Sequence, residues 1–438
     1  MSQWLWPRAR VARRAARAAG FALLAGLTIV TAARAQGAPA PAGPTAAACT
    51  PERLGAQPGD VSPALPGLAA GPDAAGADPG FDAPILGDAG RRVLQAAIVR
   101  YRGIAARGGW DPVPGGAALK QGSVDPVRVP LLRRRLAATG DGDGDATGRA
   151  SAVFDPGLTA AVEHFQARHG LDVDGVVGPR TRDALNVPVE LRIAQLGCNL
   201  ARIAAFPRSP GGRHVFINIP GQQLEAVEDG RVVQRHRVVI GKVDRQTPPY
   251  ISEITSLAFN PTWHVPRSIA GKDILPQIRA DPDYLSRLGI RVFDAGTGRE
   301  LDPAAVDWDL AGSGDVILRQ QPGPDNALGT VKILFPNPHA VYLHDTPAQS
   351  VFERAVRTAS SGCIRVENVH DLTAWLLMPQ GWDRARVDAL VASGAREAVV
   401  LRPPVPIYIV YLTAWVDDEG RVNFRDDIYG RDIPQMAL

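Results

Sequence analysis

The chain has 438 residues, enough for two or three domains, and its hydrophobic (45%) and charged (21%) fractions are ordinary for a globular protein. The formal charge is +3, but residues 1–35 hold six Arg and no Lys, Asp or Glu, so the remainder carries −3. A mildly acidic body excludes a general electrostatic attraction to nucleic acid or anionic lipid.

Arg8 to Arg17 form a basic segment, Gly20 to Val30 an apolar run too short to span a bilayer, and Ala33-Arg34-Ala35 an A-x-A cleavage site before Gln36. This pattern predicts a secretory signal peptide over 1–35. Membrane contact is then confined to export or to an uncleaved N-terminal anchor. Three cysteines follow, Cys49, Cys198 and Cys363, and an odd number leaves at least one thiol without an intramolecular partner. A Cys49–Cys198 bridge is one option that the sequence does not decide.

Residues 36–87 are dominated by Ala, Gly and Pro and read as a disordered linker. A helical scaffold segment is expected over 88–124, where Val93, Leu94, Ala97, Ile98 and Tyr101 recur at helical spacing until Gly108-Gly109. Leu131 to Leu136 predict another short helix. Asp141, Asp143 and Asp145 alternate like the start of a calcium loop, but Ala146 and Ala152 stand where Gly and Glu are required, so a solvated turn is expected. In 153–186, Phe154-Asp155-Pro156-Gly157 starts a helix with Ala161, Val162 and Phe165 on one face, and Gly170 ends it. Asp174 to Gly178 form a tight loop before a second short helix from Pro179 to Leu185. Leu191 to Ile203 predict a linking helix within 191–212.

From Arg213 the period changes to alternation, and Asp229-Gly230 between extended runs signals a hairpin. Lys272 to Leu288 read as helix interrupted by Pro276 and Pro282, as a lid or insertion over 267–312 would be. Strands are expected near Val316, at His339 to His344 and at Ile407 to Trp415, with a helix over Glu367 to Leu377. The fold class is α+β, a β-rich domain with helical insertions.

Cys363 sits among small residues in Ser360-Ser361-Gly362-Cys363-Ile364-Arg365, where Gly362 permits tight backbone geometry and the N–H groups of 362 and 363 can meet an oxyanion. Arg365 and a nearby imidazolium would favour the thiolate. His344 lies in Val341-Tyr342-Leu343-His344-Asp345, where alternation puts Tyr342 and His344 on one face. Its second ring nitrogen needs an acceptor, from either the backbone carbonyl or the carboxylate of Asp345. His339 adds an H-x4-H spacing, but no ligand cluster accompanies it, so no metal is expected.

Two stretches resemble known families. Ala161-Val162-x-x-Phe165-Gln166-x-x-His169-Gly170-Leu171, then Asp174-Gly175-x-x-Gly178-x-x-Thr181-x-x-Ala184-Leu185-Asn186, resemble the small helical peptidoglycan-binding domain, placed at 125–190. The segment 213–402 resembles the YkuD-type L,D-transpeptidase catalytic domain: a His followed some 15–20 residues later by a Ser/Thr-x-Gly-Cys-x-Arg block, here His344 and Ser360 to Arg365. Ser361 stands where many members carry a second His, as in the family's larger branch. Asn260 to Pro266, Arg319 to Pro324, Gly329 to Lys332, Phe335 to Asn337 and Phe424 to Gly430 also match, and 403–438 is expected to pack on the catalytic domain as a strand extension.

The resemblance implies a sandwich-like catalytic domain preceded by an all-α module, and a periplasmic enzyme associated with the cell wall that needs no cofactor. Cys363 would be the nucleophile and His344 the general base and acid, acting on a tetrapeptide stem of peptidoglycan to release D-Ala and form a 3→3 cross-link. Gly362 would supply an oxyanion N–H and Asp345 would orient His344. Arg365 would fix the loop or meet a substrate carboxylate. Ser360 would serve the oxyanion or the turn, and Tyr342, Ser361 and Trp263 would line the substrate site, Tyr342 and Trp263 equally fitting the core. Peptidoglycan stem peptides and glycan are the implied partners. The acyl acceptor, whether stem amine, outer-membrane lipoprotein or water, is not encoded in the catalytic pair.

Overall fold

The computed structural model describes residues 85–142, 151–281, 283–308, 314, 316–417 and 419–432. The expected signal peptide, Cys49, Asp143, Asp145 and most of the linker lie outside the described residues. The chain divides into Met1–Thr45 and Ala46–Leu438, and everything described belongs to the second unit.

The linker was expected to run to residue 87, but Ile85 and Leu86 are buried beside helix α1 (Asp88–Ala106), with Leu94, Ala97, Ile98, Tyr101 and Ile104. Each large aliphatic side chain removed from water contributes about 1.5–3 kcal/mol, which a Gly/Pro/Ala run lacks. Next come α2 (Arg128–Thr139), α3 (Pro156–Arg168) and α4 (Pro179–Leu185), sharing a core of Leu132, Leu136, Phe154, Leu158, Val162, Phe165 and Leu185. Asp155 caps α3 by accepting from the Leu158 N–H at 2.8 Å, and Pro156 occupies the first turn, a cap worth about 1 kcal/mol.

The buried Gln166 explains much of the motif around it. Its amide donates to Asp174 Oδ1 at 2.8 Å and its oxygen accepts from the Gly175 N–H at 2.9 Å, so it holds the Asp174-Gly175 loop. Asp141 corrects the expected solvated turn. It is buried, ion-paired with Arg168 and bonded to Thr139 Oγ1 at 2.6 Å and His164 Nδ1 at 2.9 Å. α5 (Val189–Ala204) then packs beside α1, and its Cys198 is buried and disulfide-bonded, whereas Cys363 is free.

The catalytic region opens with β1 (Arg213–Asn218), β2 (Gln223–Glu228) and β3 (Arg231–Gly241). Asp229 and Gly230 take φ of 50° and 77°, forming the expected hairpin turn. After β4 (Tyr250–Phe259) comes the insertion, with β5 (Trp263–His264), α6 (Arg267–Ile269), a π-helical turn at Ala270–Ile274, α7 (Leu275–Ala280), α8 (Tyr284–Arg287), β6 (Ile290–Asp294), β7 (Glu300–Leu301) and β8 (Val316–Gln320). Its strands pair in the order β5-β8-β6-β7 over a core of Ile274, Ile278, Leu285, Val292 and Leu318, so it is a small α/β unit with its own core rather than helix alone.

The chain continues through β9 (Val331–Leu334), β10 (Leu343–His344), β11 (Thr358–Ser360), β12 (Ile364–Val366), α9 (Val369–Leu377), α10 (Arg384–Ala392), β13 (Glu397–Val410), β14 (Ala414–Val416) and β15 (Val422–Phe424). Among the described residues nine strands form one sheet, ordered β11-β3-β12-β10-β9-β4-β13-β1-β2, and β2 also pairs with β3. The sandwich-like, β-rich domain is therefore a single sheet curled closed. Val215, Ile217, Leu224, Val238, Leu257, Ile333, Leu343, Ile364 and Ile407 fill its interior. α1 and α5 cover its outer side through Phe216, Tyr408 and Val410 and meet β14 and β15 at Trp415 and Phe424. The module is joined to that hairpin by Arg168 Nη1 donating to Val422 O at 3.0 Å and Arg425 Nη1 donating to Arg168 O at 2.9 Å.

Candidate active site

Register builds the site. On β10, Leu343 lies opposite Ile333 of β9 and Ile364 of β12, all three in the core, while His344 lies opposite Lys332 and Arg365. Side chains alternate along a strand, so His344, Lys332 and Arg365 share the face turned away from the core. Ile364 N–H donates to Tyr342 O at 3.0 Å, which places Tyr342 beside Cys363 on that same face. Four of the residues singled out from sequence are thus brought together, and Lys332 joins them.

The cysteine loop is held from beneath. Ser360 Oγ accepts from the Gly362 N–H at 3.2 Å and donates to Cys363 O at 2.5 Å, so Ser360 shapes the turn. This corrects the expectation that Gly362 offers an oxyanion donor, because its N–H is already bonded to Ser360. On the thiol itself the N–H and the hydroxyl of Tyr342 converge as donors. Thr247 Oγ1, fully buried, donates to Gly362 O at 2.8 Å and accepts from the Gly241 N–H at 2.9 Å. Tyr429, in the C-terminal extension, donates its hydroxyl to Gly241 O at 2.6 Å. Gly241 must be glycine, since a Cβ there would lie 2.1 Å from Arg245 O. Ser361, exposed, accepts from Arg245 Nη1 at 2.9 Å, and Arg245 pairs with Asp273 of the insertion, which pins that unit beside the loop.

Burial pushes the Cys363 thiol above the ordinary cysteine value. Hydrogen bonds from the Tyr342 N–H and hydroxyl, and the charges of Lys332 and Arg365, oppose that shift without overcoming it. Arg365 thus favours the thiolate as expected, but burial outweighs it. Tyr342 is itself raised by burial and by the sulfur, and its oxygen accepts from Trp263, which brings both aromatic residues beside Cys363. Lys332 lies 3.8 Å from the Tyr342 ring centroid, with its ammonium pKa lowered by burial.

His344 is buried, and its Nδ1 lies 2.6 Å from Asp345 O. That carbonyl can only accept, so the proton sits on Nδ1 and Nε2 carries the lone pair. Burial, then the Arg365 and Lys332 charges, bring its pKa to about 3 against the carbonyl's opposing pull. The orienting acceptor is thus the backbone of Asp345. Its carboxylate instead accepts from Thr330 N–H and Oγ1 at 3.0 and 2.7 Å. No direct hydrogen bond joins His344 to Cys363 in this structure, whose thiol has Ala340 O at 3.8 Å. Arg365 is largely buried with its Nε unpartnered, and neither it nor Lys332 meets a carboxylate among the described residues.

Sequence reasoning missed Lys332, Thr247, Arg245 and Tyr429 as members of the site. Lys332 and Tyr429 sat inside stretches already noticed for their resemblance, but only the strand register and the loop contacts give them a task.

Residues 212–400 match the YkuD family, described as L,D-transpeptidase catalytic domain, and residues 127–185 match a family described as "Putative peptidoglycan binding domain". A Haemophilus influenzae protein named "Putative L,D-transpeptidase" is 34% identical over 238 residues, 54% of this chain and 48% of that protein. The chain thus spans about half the length of the curated relative it matches. Among solved structures, an L,D-transpeptidase from Mycobacterium smegmatis is 16% identical, covering 45% of this chain and 58% of its own, with a TM-score of 0.23. One from Stackebrandtia nassauensis is 16% identical, covering 68% and 97%, with a TM-score of 0.26.

Proposed function

With residues 212–400 a catalytic domain of the YkuD L,D-transpeptidase family and 127–185 a peptidoglycan-binding domain, we propose that the protein is a cysteine-dependent acyltransferase that cross-links peptidoglycan stems. The observation that carries this reading is the shared face on which a free thiol, an Nε2 lone pair, two hydrogen-bond donors and two cations that meet no carboxylate among the described residues converge.

Cys363 Sγ attacks the carbonyl between the third residue of a tetrapeptide stem and its terminal D-Ala, while His344 Nε2 takes the thiol proton. The carbonyl oxygen becomes an oxyanion, met by the Cys363 N–H and the Tyr342 hydroxyl. When the tetrahedral adduct collapses, the C–N bond breaks and His344 returns its proton to the departing D-Ala amine. An amine from a second stem then attacks the thioester, His344 accepts the amine's proton, and the thiol is regenerated as the 3→3 amide forms. Asp345 holds His344 in the required tautomer through its carbonyl. Arg365 and Lys332 receive a substrate carboxylate, the role best suited to buried cations without an acid. Ser361 and Trp263 border the channel. We place the lid on the insertion around 267–312, tied by Arg245, and the site of action at the cell wall after export to the periplasm.

The test is intact-protein mass spectrometry after incubation with a tetrapeptide muropeptide, beside Cys363→Ala. A thioester adduct lacking D-Ala, with dimeric muropeptide accumulating, is the expected result. Adduct followed only by tripeptide would make water the acceptor, and transfer to a lipoprotein would identify that acceptor instead. Cross-linking retained by Cys363→Ala would sink the mechanism, and absence of any adduct would favour a non-catalytic wall-binding protein.

A further inference from the structure

We infer that His370 is a positioning residue for His344, acting through Thr330 and Asp345, a role that rests on the proposed Cys363–His344 chemistry. The carbonyl of Asp345 accepts from His344 Nδ1, so whatever fixes Asp345 fixes the imidazole. The Asp345 carboxylate sits in a fitted seat. Oδ2 accepts from both Thr330 N and Oγ1, Gln349 Nε2 reaches Oδ1 at 3.3 Å, and Gly329 lies directly beneath. A Cβ on Gly329 (φ +62°) would fall 2.5 Å from Asp345 Cβ, Cγ and Oδ2, so the seat exists only because residue 329 is glycine.

The hydroxyl that closes this seat is shared. Thr330 Oγ1 lies 2.8 Å from His370 Nε2 on α9, and His370 Nδ1 lies 2.8 Å from Asp388 Oδ1 on α10. Asp388 is held in turn by Arg384 Nε at 2.9 Å, and Arg384 also pairs with Asp371. A line of contacts therefore runs from the α9–α10 pair, through the start of β9, to the end of β10 where His344 sits.

Counting protons shows how this line is coupled. Both carboxylates only accept, and Thr330 has one hydroxyl proton. His370 Nδ1 therefore donates to Asp388. In the neutral ring Nε2 is then an acceptor, and it competes with Asp345 Oδ2 for the single Thr330 proton. In the imidazolium Nε2–H donates to Thr330, and the hydroxyl proton goes wholly to Asp345. The groups facing the ring are Asp388, with its Arg384, from α10, neighbouring Asp371 on α9, and Asp345 beyond Thr330. In either form of the ring the Thr330 hydroxyl is the single link that joins His370 to the Asp345 seat.

Single-turnover acylation by a tetrapeptide stem tests this with Thr330→Val, Thr330→Ser and His370→Gln, each checked for folding by thermal melt. Thr330→Val and His370→Gln should slow acylation by about tenfold with little change in KM, since a small misplacement of the base acts on the chemical step. Thr330→Ser should restore the rate. The NMR signal of the His344 Nδ1 proton, which does not depend on turnover, should move in Thr330→Val and stay in Thr330→Ser. A wild-type rate and an unmoved signal in Thr330→Val would overturn the proposal while leaving the Cys363 chemistry standing. Failure of the wild type to acylate, with the signal still moving, would instead refute the proposed function and keep the positioning.

Discussion

Replacing Thr247 by Val keeps the side chain's shape and removes one hydroxyl, so no cavity contributes to the outcome. That hydroxyl accepts from the Gly241 N–H at 2.9 Å and donates to Gly362 O at 2.8 Å, with Thr247 fully buried. Without it, one donor and one acceptor are left unpaired out of reach of water, at about 1–3 kcal/mol each. The expected destabilisation is about 2–6 kcal/mol, against about 5–15 kcal/mol for a typical domain. The catalytic consequence follows from peptide geometry. Gly362 O and the Cys363 N–H belong to the same peptide plane, so the bond from Thr247 also aims the N–H proposed to meet the oxyanion. Losing one such donor outright costs about 10²–10³ in rate, and loosening its aim should cost at least about tenfold. Urea unfolding and single-turnover acylation measure the two effects on one sample. If stability falls while acylation stays at the wild-type rate, Thr247 only supports the fold and the peptide-plane argument fails.

His344→Ala should slow acylation sharply near neutral pH, and the deficit should shrink at high pH as hydroxide ionises the raised thiol; equal rates at pH 7 would remove His344 from the role of base. In the wild type, a histidine brought to about 3 keeps its lone pair at every higher pH, so acylation should show no acidic limb attributable to His344 between pH 5 and 8, and NMR titration of the imidazole moving in that window would contradict it. Asp141→Asn should cost about 3 kcal/mol in urea unfolding at pH 7, because it breaks a buried pair with Arg168. Burial raises the Asp141 carboxyl, but the Arg168 bonds and charge hold it below its ordinary value. Its contribution is therefore present above the unfolded carboxylate value and is lost as pH falls through the folded one. A cost under about 1 kcal/mol would return Asp141 to the solvated turn.

The sequence was most legible where local chemistry dictates structure. Asp155-Pro156 starts α3 because a carboxylate cap and a pre-set φ act within one turn, and Asp229-Gly230 turns because both residues tolerate positive φ. Cys363 and His344 were legible through the block around them. What could not be read was pairing between distant strands. The strand expected over 339–344 is only two residues long, because Asn337 folds the preceding segment by bonding Val341 N and O, and Ala340 takes φ +52°. β9, four residues without a turn signal, and α10, which buries only Val387, left too little pattern to find. Lys332 depends on β9 lying beside β10, and no spacing in the chain announces that. Gly362 was misjudged for a related reason, since a glycine's freedom says nothing of which acceptor its N–H will meet.

The electrostatics of the site imply one more measurement. Burial holds the Cys363 thiol above its ordinary value and brings the His344 imidazole down to about 3, and both changes favour a neutral thiol beside a neutral imidazole over an ion pair. Burial is the largest cause of the low imidazole value, and Arg365 and Lys332 deepen it. A substrate carboxylate settling against those cations would cancel their part and strengthen the base when it is needed. Lys332→Met imitates that cancellation without substrate, so the His344 pKa, followed by NMR, should rise. The same variant should discriminate less between a free stem carboxylate and its amide. An unmoved imidazole with undiminished discrimination would show that Lys332 serves only to pack against Tyr342.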